Sequence, residues 1–179
     1  MTGTRCTVAL LCLVALAPGA PALGAQMRVV VRIRGYQTPI SLDTLGTPSD
    51  LPSPPDRVYA ASLAVFGDLG IPVNTKDPAK GIVAATRFTK MHSLAGSQLA
   101  QFYSCGSGMT GPHANEWRLE IAVAAMVDAL PDGTARLRVA SVSAGEDVTG
   151  SAKEPMPCNS TGQLELQLLE LIRKKAARL

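Results

Sequence analysis

The sequence is poor in the residues and motifs that carry enzyme chemistry. Its 179 residues include two histidines, and aromatic residues make up only 4% of the chain. The histidines, His92 and His113, stand in no catalytic motif, and Ser107 lacks the Gly-x-Ser-x-Gly spacing of a nucleophile elbow. Residues 105–112 are rich in glycine but lack the Gly-Lys-Ser/Thr ending of a phosphate loop, so they predict a flexible loop. These shortages predict a protein that is not an enzyme and uses no cofactor, with a hydrolase as the remaining catalytic alternative.

Long apolar runs are lacking outside the N-terminus. The run CTVALLCLVALA at residues 6–17 follows Arg5 and precedes small residues, which is the pattern of a secretory signal peptide. It is too short to cross a bilayer, which takes roughly 20 residues. We therefore expect a signal peptide over residues 1–24, a single domain over residues 25–179, and a periplasmic or secreted location, with no transmembrane segment in the mature chain. An uncleaved N-terminal anchor is the alternative.

A large excess of either charge is missing as well. The chain has 17 Lys and Arg against 14 Asp and Glu, and they are dispersed, which argues against a nucleic-acid partner. After the signal, Val29, Val31 and Ile33 alternate with mostly basic residues, which predicts a half-buried strand. The arginines of its outer face that can form a surface contact are Arg28, Arg32 and Arg34. That face is either solvated or in contact with an anionic surface such as lipid headgroups or peptidoglycan.

Cysteine is scarce once the signal is removed. Of the four cysteines, only Cys105 and Cys158 lie outside the predicted signal peptide. In an oxidising compartment two such cysteines pair, and closing a loop of about 50 residues stabilises a fold by about 4 kcal/mol. The alternative is a metal site formed with His92 and His113, but the spacings match no zinc pattern. We therefore predict a disulfide between Cys105 and Cys158 and no metal.

Residues 56–88 contain the pattern of a helix followed by a hairpin. Asp56 is placed to cap a helix that starts at Arg57, and Gly70 ends it in the left-handed conformation. The apolar stripe of this helix recurs at three- and four-residue steps. Its members are Tyr59, Ser62, Leu63, Phe66 and Leu69. Residues 71–88 then alternate around a turn at residues 76–81, which predicts an antiparallel hairpin.

The remaining chain predicts a linker, a long hairpin and a last helix. The proline-rich residues 47–55 predict a linker, and residues 115–143 alternate around a Pro-Asp-Gly turn that places Asp128 opposite Arg136. Residues 160–163, Ser-Thr-Gly-Gln, resemble a capping box that opens the last helix. The core stripe of that helix is Leu164, Leu168, Leu171 and Ile172. We expect this helix to cover the sheet, with a membrane-surface helix as the alternative.

The helix and hairpin of residues 56–88 carry a resemblance to a known family. This stretch resembles the repeating unit of helix-grip domains in the outer-membrane assembly lipoprotein of the Bam complex and in related bacterial envelope proteins. The matching positions are Val58, Leu63, Gly70, Val73, Asp77, Gly81 and Ile82. All of them are structural, so the resemblance implies a fold and a bacterial envelope compartment but no reaction.

Taken in order, the elements predict an α+β fold. We expect an antiparallel β-sheet with two α-helices packed on one face, a helix-grip-like arrangement. The predicted function is that of a non-catalytic exported envelope module that binds an envelope protein or the cell wall. Its working surface is expected on the glycine-rich loop around Cys105 and on the arginine row. The alternative is a carrier that holds a lipid or other apolar ligand between the sheet and the C-terminal helix, as the larger helix-grip proteins do, a resemblance of fold alone.

Overall fold

The computed structural model describes residues 29–150 and 154–179. The predicted signal peptide and Arg28 lie outside these residues. In chain order, the strands are β1 (Val30–Val31), β2 (Ile40–Ser41), β3 (Pro48–Leu51), β4 (Thr75–Asp77), β5 (Ile82–Lys90), β6 (Ser93–Leu94), β7 (Ser97–Gln98), β8 (Tyr103–Ser104), β9 (Ser107–Gly108), β10 (Gly111–Pro112), β11 (Arg118–Ala129), β12 (Ala135–Glu146) and β13 (Met156–Ser160). The helices are α1 (Pro55–Asp68), α2 (Leu99–Phe102), α3 (His113–Glu116) and α4 (Gln163–Ala176), and a 3₁₀ turn covers Leu42–Thr44.

The centre of the fold is the long hairpin of β11 and β12. These strands pair antiparallel along their whole length, and the Leu130 N–H donates to the Thr134 carbonyl to close the three-residue turn. Asp128 lies opposite Arg136, as the sequence predicts. Strands β5 and β4 extend the sheet beyond β11, while β13 and then β8 extend it beyond one end of β12. The predicted antiparallel sheet is therefore confirmed.

Helices α1 and α4 lie against each other and cover one face of this sheet. The side chains of Leu164, Leu168 and Ile172 point into that core and are completely buried. Phe66 from α1 and Phe102 from α2 are also completely buried in the same cluster. Both helices turn an apolar stripe to the same side of the sheet. The fold is therefore of the α+β class, with two helices on one face. We call this side the helix face.

The opposite side, which we call the outer face, is covered by residues 29–46. Val29, Val31 and Ile33 are buried there against an alanine-rich surface, so the predicted alternation is confirmed. The segment is not a strand of the large sheet, because only β1 forms and it pairs with β2. Its apolar side chains are buried because the segment lies across the outer face. Burial of this kind does not require backbone hydrogen bonds between the segment and the sheet. Both faces of the sheet are therefore covered.

The proline-rich stretch of residues 47–55 is not the predicted linker. Its residues Pro48–Leu51 form β3, which pairs with Ala135–Arg138 at the edge of the sheet. An edge strand needs hydrogen bonds on one side only, and a proline at its first position removes no bond that the edge requires. Leu51 is 2% exposed and so anchors the strand in the core. Pairing with a distant strand overrides the local composition.

The first helix begins earlier than predicted, and its buried stripe overlaps the predicted one in Ser62 and Phe66, while Tyr59, Leu63 and Leu69 are partly buried against the core. Its first residue is Pro55, and Pro54 at the N-cap makes no side-chain capping bond, so Asp56 lies in the first turn instead of capping it. The predicted stop is confirmed, because Gly70 has φ +66° and the Ile71 N–H donates to the Phe66 carbonyl. The residues of the helix that are buried are Val58, Ala61, Ser62, Val65 and Phe66.

Two other local predictions differ from the structure. The capping box before α4 does not form: the N-cap is Gly162 in the left-handed conformation, and the Ser160 hydroxyl bonds to the Glu165 carboxylate. In β5, a register shift near the middle of the strand separates Ala84, on the outer face, from Phe88, on the helix face. A bulge of this kind adds one residue to a strand, so side chains beyond it change face.

Candidate functional site

The outer edge of β12 is paired at both ends but interrupted in the middle. Strand β3 pairs with Ala135–Arg138, and β13 pairs with residues 143–145. Between Val139 and Val142, no strand of the described residues pairs with this edge. The residues of this gap are themselves buried, and Gly46 lies close to the Val139 carbonyl within it.

Two clefts meet at this interruption, and together we call them the edge crevice. The larger cleft, on the helix face, has a volume of about 710 Å³, and the smaller cleft, on the outer face, has a volume of about 310 Å³. Residues 46–49 form one wall of the larger cleft, residues 160–162 form another, and Leu166 and Leu169 of α4 complete it. The two volumes adjoin at the residues that border both of them, which are Gly46, Ser160 and Glu165.

Glu165 is the charged residue at the junction of the two clefts. It lies in the first turn of α4 and is half-buried. Its carboxylate accepts hydrogen bonds from the Ser141 hydroxyl at 2.7 Å and from the Ser160 hydroxyl at 2.9 Å. Among the ion pairs of the described residues, none involves Glu165. The crevice therefore contains a carboxylate that is held in place by hydroxyl groups and has no counter-ion within the part of the chain that the structure describes.

A buried phenol lies beside this carboxylate. The Tyr103 side chain is completely buried, and its hydroxyl has no hydrogen-bond partner among the described residues. Burial raises the pKa of Tyr103 because the phenolate form is desolvated, and the nearby charge of Glu165 raises it further. The neighbouring Ser141 hydroxyl lowers the pKa of Tyr103, but by less than burial raises it. Tyr103 therefore stays a neutral phenol.

The rest of the crevice is largely apolar. Leu166 is 55% exposed and Leu169 is partly buried against the core, so α4 turns apolar surface toward the cleft. At the far end of the cleft, Arg173 donates to the Ser49 hydroxyl and pairs with Glu170, so this cation is already bound. The crevice combines an aliphatic surface with one carboxylate. It can therefore bind a ligand that has an apolar part and a polar group.

Within the predicted arginine row, the guanidinium of Arg34 is held in ion pairs. Arg28 lies outside the described residues and Arg32 is exposed. The Arg34 guanidinium is bound to Glu120 at 2.9 Å and to Glu146 at 3.1 Å. The hydrogen bond to Glu120 raises the pKa of Arg34. Arg34 therefore attaches residues 29–46 to the sheet, which leaves its charge balanced.

The predicted disulfide is confirmed. Cys105 and Cys158 are bonded with an S–S distance of 2.04 Å, and the bond joins the loop after β8 to β13. Because both sulfurs are used in this bond, the alternative of a metal site on these cysteines and the two histidines does not form. His92 is bound to the Asn115 carbonyl oxygen, and His113 stacks on Trp117 with ring centroids 4.3 Å apart. The loop around Cys105 is solvent-facing at its tip, and its exposed apolar residue is Met109.

Sequence reasoning missed the residues of the edge crevice. Glu165 falls on the outer side of the predicted helix stripe. One signal does point to the site. Ser141 continues the apolar face of Leu137 and Val139 along β12, so a polar residue appears where the pattern calls for a core residue.

No metal site accompanies the crevice in the part of the chain that the structure describes, where no group of three His, Cys, Asp or Glu side chains is placed to hold an ion. None of the helices in residues 29–150 and 154–179 has the length and apolar character that crossing a membrane requires. Comparison with protein-family models, with curated proteins and with solved structures finds no match for this chain.

Proposed function

We propose that the protein is a non-catalytic, exported module of the bacterial cell envelope that binds an envelope protein or the cell wall through the edge crevice. The observation that carries this proposal is the interruption of strand pairing between Val139 and Val142, where a cleft of about 710 Å³ opens beside α4. Ligand sites are concave, mainly apolar and supplied with a few polar groups that fix orientation. The edge crevice has each of these properties.

The packed core supports a working surface on the outside of the fold. The space between α4 and the sheet is occupied by the protein's own side chains, among them the completely buried Leu164, Leu168 and Ile172. Protein interiors reach the density of organic crystals, so a partner has to bind outside such a core. The edge crevice is an accessible concave surface that adjoins it.

The proposed compartment rests on the disulfide and on the N-terminal sequence. A disulfide is typical of proteins that fold in an oxidising environment, and Cys105–Cys158 is present here. The pattern of a charged residue, a short apolar run and small residues at residues 5–25 agrees with export. The resemblance of residues 56–88 to helix-grip domains of bacterial envelope proteins points to the same compartment.

Site-specific photocrosslinking in a bacterial host tests the binding surface. A photoreactive benzoylphenylalanine replaces Leu166 in the crevice or, as a matched control, Leu179 at the end of the chain, which is 59% exposed. We expect the Leu166 variant to form a discrete adduct that mass spectrometry identifies as an envelope protein or a cell-wall fragment. The same adducts from both positions, or adducts from Leu179 alone, would contradict the proposed surface.

A carrier of an apolar ligand is the second candidate. Its support is the volume of the larger cleft, about 710 Å³, because ligand pockets start at roughly 300 Å³. The cleft lies at the sheet edge beside α4, whereas the sequence-based hypothesis placed the ligand between the sheet and the helix. Native mass spectrometry of protein purified from its host separates the two functions. A stoichiometric bound lipid would favour the carrier, and an unliganded mass favours the binding module.

A further inference from the structure

We propose that the edge crevice binds a positively charged amine or guanidinium group on an aliphatic stem, with Glu165 as its counter-ion. This inference rests on the proposed function, because it names the ligand chemistry of the same crevice. It goes beyond that function by predicting a sign of charge and a shape for the bound group. Two features of the described residues lead to it: the carboxylate and the apolar wall.

The carboxylate has acceptor capacity that the described residues do not use. An ionised carboxylate has about four lone-pair sites for hydrogen bonds. The Oε1 atom of Glu165 accepts from Ser141 and Ser160, whereas Oε2 accepts only from Ser160, at 3.1 Å. The cation of α4 that reaches the cleft wall, Arg173, is already bound to Glu170. A cationic donor can therefore reach Oε2 without displacing an existing ion pair.

The apolar wall favours a ligand with an aliphatic stem. Leu166, Leu169 and Val139 line the larger cleft together with Glu165. Lysine and arginine bury their methylene stems on such surfaces while the charged end meets a polar group. A wholly apolar ligand would cover the same wall but would also take Glu165 out of water without a counter-ion, which is costly for a charged group. The crevice therefore discriminates in favour of a cation.

Titration of the protein with n-hexylammonium, n-hexanol and hexanoate, followed by amide NMR, tests the proposal. The three probes share one aliphatic stem and differ in the charge of the end group. We expect n-hexylammonium to shift the amide signals of Ser141 and residues 162–166 and to bind at least about tenfold more tightly than n-hexanol. Hexanoate should bind most weakly. Equal binding of n-hexanol and n-hexylammonium would overturn the proposal.

Variants of the carboxylate make the test specific. Glu165→Gln should remove the preference for n-hexylammonium while n-hexanol still binds, and Glu165→Asp should keep part of the preference. Binding of n-hexanol reports that the crevice of each variant is still formed. Glu170→Gln, an exposed residue of the same helix, is the control and should bind like the unaltered protein. An unchanged preference in Glu165→Gln would contradict the assigned role.

A further arm identifies the source of the cation. The tripeptide acetyl-Gly-Lys-Gly-amide is compared with its norleucine counterpart, which has an apolar side chain of similar length. Preferential binding of the lysine peptide supports a basic side chain of a protein partner, and binding of n-hexylammonium alone supports a free amine. Failure of both cationic probes, combined with a discrete adduct at Leu166, would overturn the cation and leave the proposed function intact.

Discussion

The carboxylate of Glu120 accepts a hydrogen bond from the Arg34 backbone N–H at 3.1 Å and another from Nε of the same residue at 2.9 Å. A third bond comes from the Arg87 guanidinium at 3.1 Å. Glu120 is 3% exposed and belongs to β11, so these bonds attach residues 29–46 to the outer face of the sheet. A buried carboxylate remains charged here because two guanidinium groups compensate for its desolvation.

This arrangement predicts a loss of stability in acid. Burial alone would raise the pKa of Glu120, but the hydrogen bonds from Arg34 and the charge of Arg87 outweigh it and leave the pKa below its ordinary value. A carboxylate with a lowered pKa contributes stability above its unfolded pKa of about 4.3, and the contribution is lost as the pH falls through the folded pKa. We expect Glu120→Gln to lower the free energy of unfolding at pH 7 by about 1–3 kcal/mol.

Urea unfolding of both proteins between neutral and acidic pH measures this effect. The difference between the unaltered protein and Glu120→Gln should shrink as the pH falls from about 4.3 through the lowered folded pKa of Glu120, because a protonated Glu120 is neutral like glutamine. Glu116→Gln, at an exposed position, is the control. Its free energy of unfolding should change with pH in the same way as that of the unaltered protein. A constant difference at every pH would show that the charge of Glu120 is not the cause.

The last helix is expected to be part of the core. Leu168 is completely buried, so Leu168→Ala should lower the free energy of unfolding by about 2–5 kcal/mol through lost packing and a residual cavity. Leu166 on the same helix is 55% exposed, and Leu166→Ala should change the stability by no more than about 0.5 kcal/mol. Thermal or urea unfolding compares the two. Similar effects of both substitutions would indicate that the helix does not pack as described.

The disulfide is expected to contribute measurably to stability. Cys105 and Cys158 are separated by 53 residues, and a cross-link over a loop of this length stabilises by about 4 kcal/mol in the chain-entropy model. The double variant Cys105→Ser/Cys158→Ser should therefore unfold at lower urea concentration than the oxidised protein. Reducing agent should destabilise the unaltered protein but leave the double variant unchanged. If the reducing agent destabilised the unaltered protein and the double variant equally, its effect would not come from breaking the Cys105–Cys158 bond.

Gly81, in the turn between β4 and β5, is expected to tolerate no side chain. It has φ +65°, and a methyl group at this position would collide with the Val127 carbonyl of the neighbouring strand. Gly133 has φ +82° with nothing close to the position of its missing methyl group. Gly133→Ala should therefore lower the free energy of unfolding by about 1–2 kcal/mol, because alanine is strained in the left-handed conformation. Gly81→Ala should lower it by more. Equal unfolding free energies for the two variants would contradict the collision.

The sequence by itself determines the elements whose causes are local. The stop of α1 at Gly70 depends on a left-handed residue followed by Ile71, and the turn after Leu130 sets the register that places Asp128 opposite Arg136. Alternation along the chain places Val29, Val31 and Ile33 in the interior in the same way. Each of these features follows from backbone conformation and side-chain period within a short stretch, so the pattern of residues is sufficient to predict it.

Only the tertiary structure decides which distant elements meet. Pro48–Leu51 forms a strand because it pairs with the edge of β12. Arg34 is ion-paired with Glu120, which lies 86 positions further along the chain. The edge crevice has the same origin, since Ser141 and Glu165 belong to different elements and touch only after α4 has packed on the sheet. Such contacts depend on how whole faces of helices and sheets pack together, and the local period of a sequence does not contain that information.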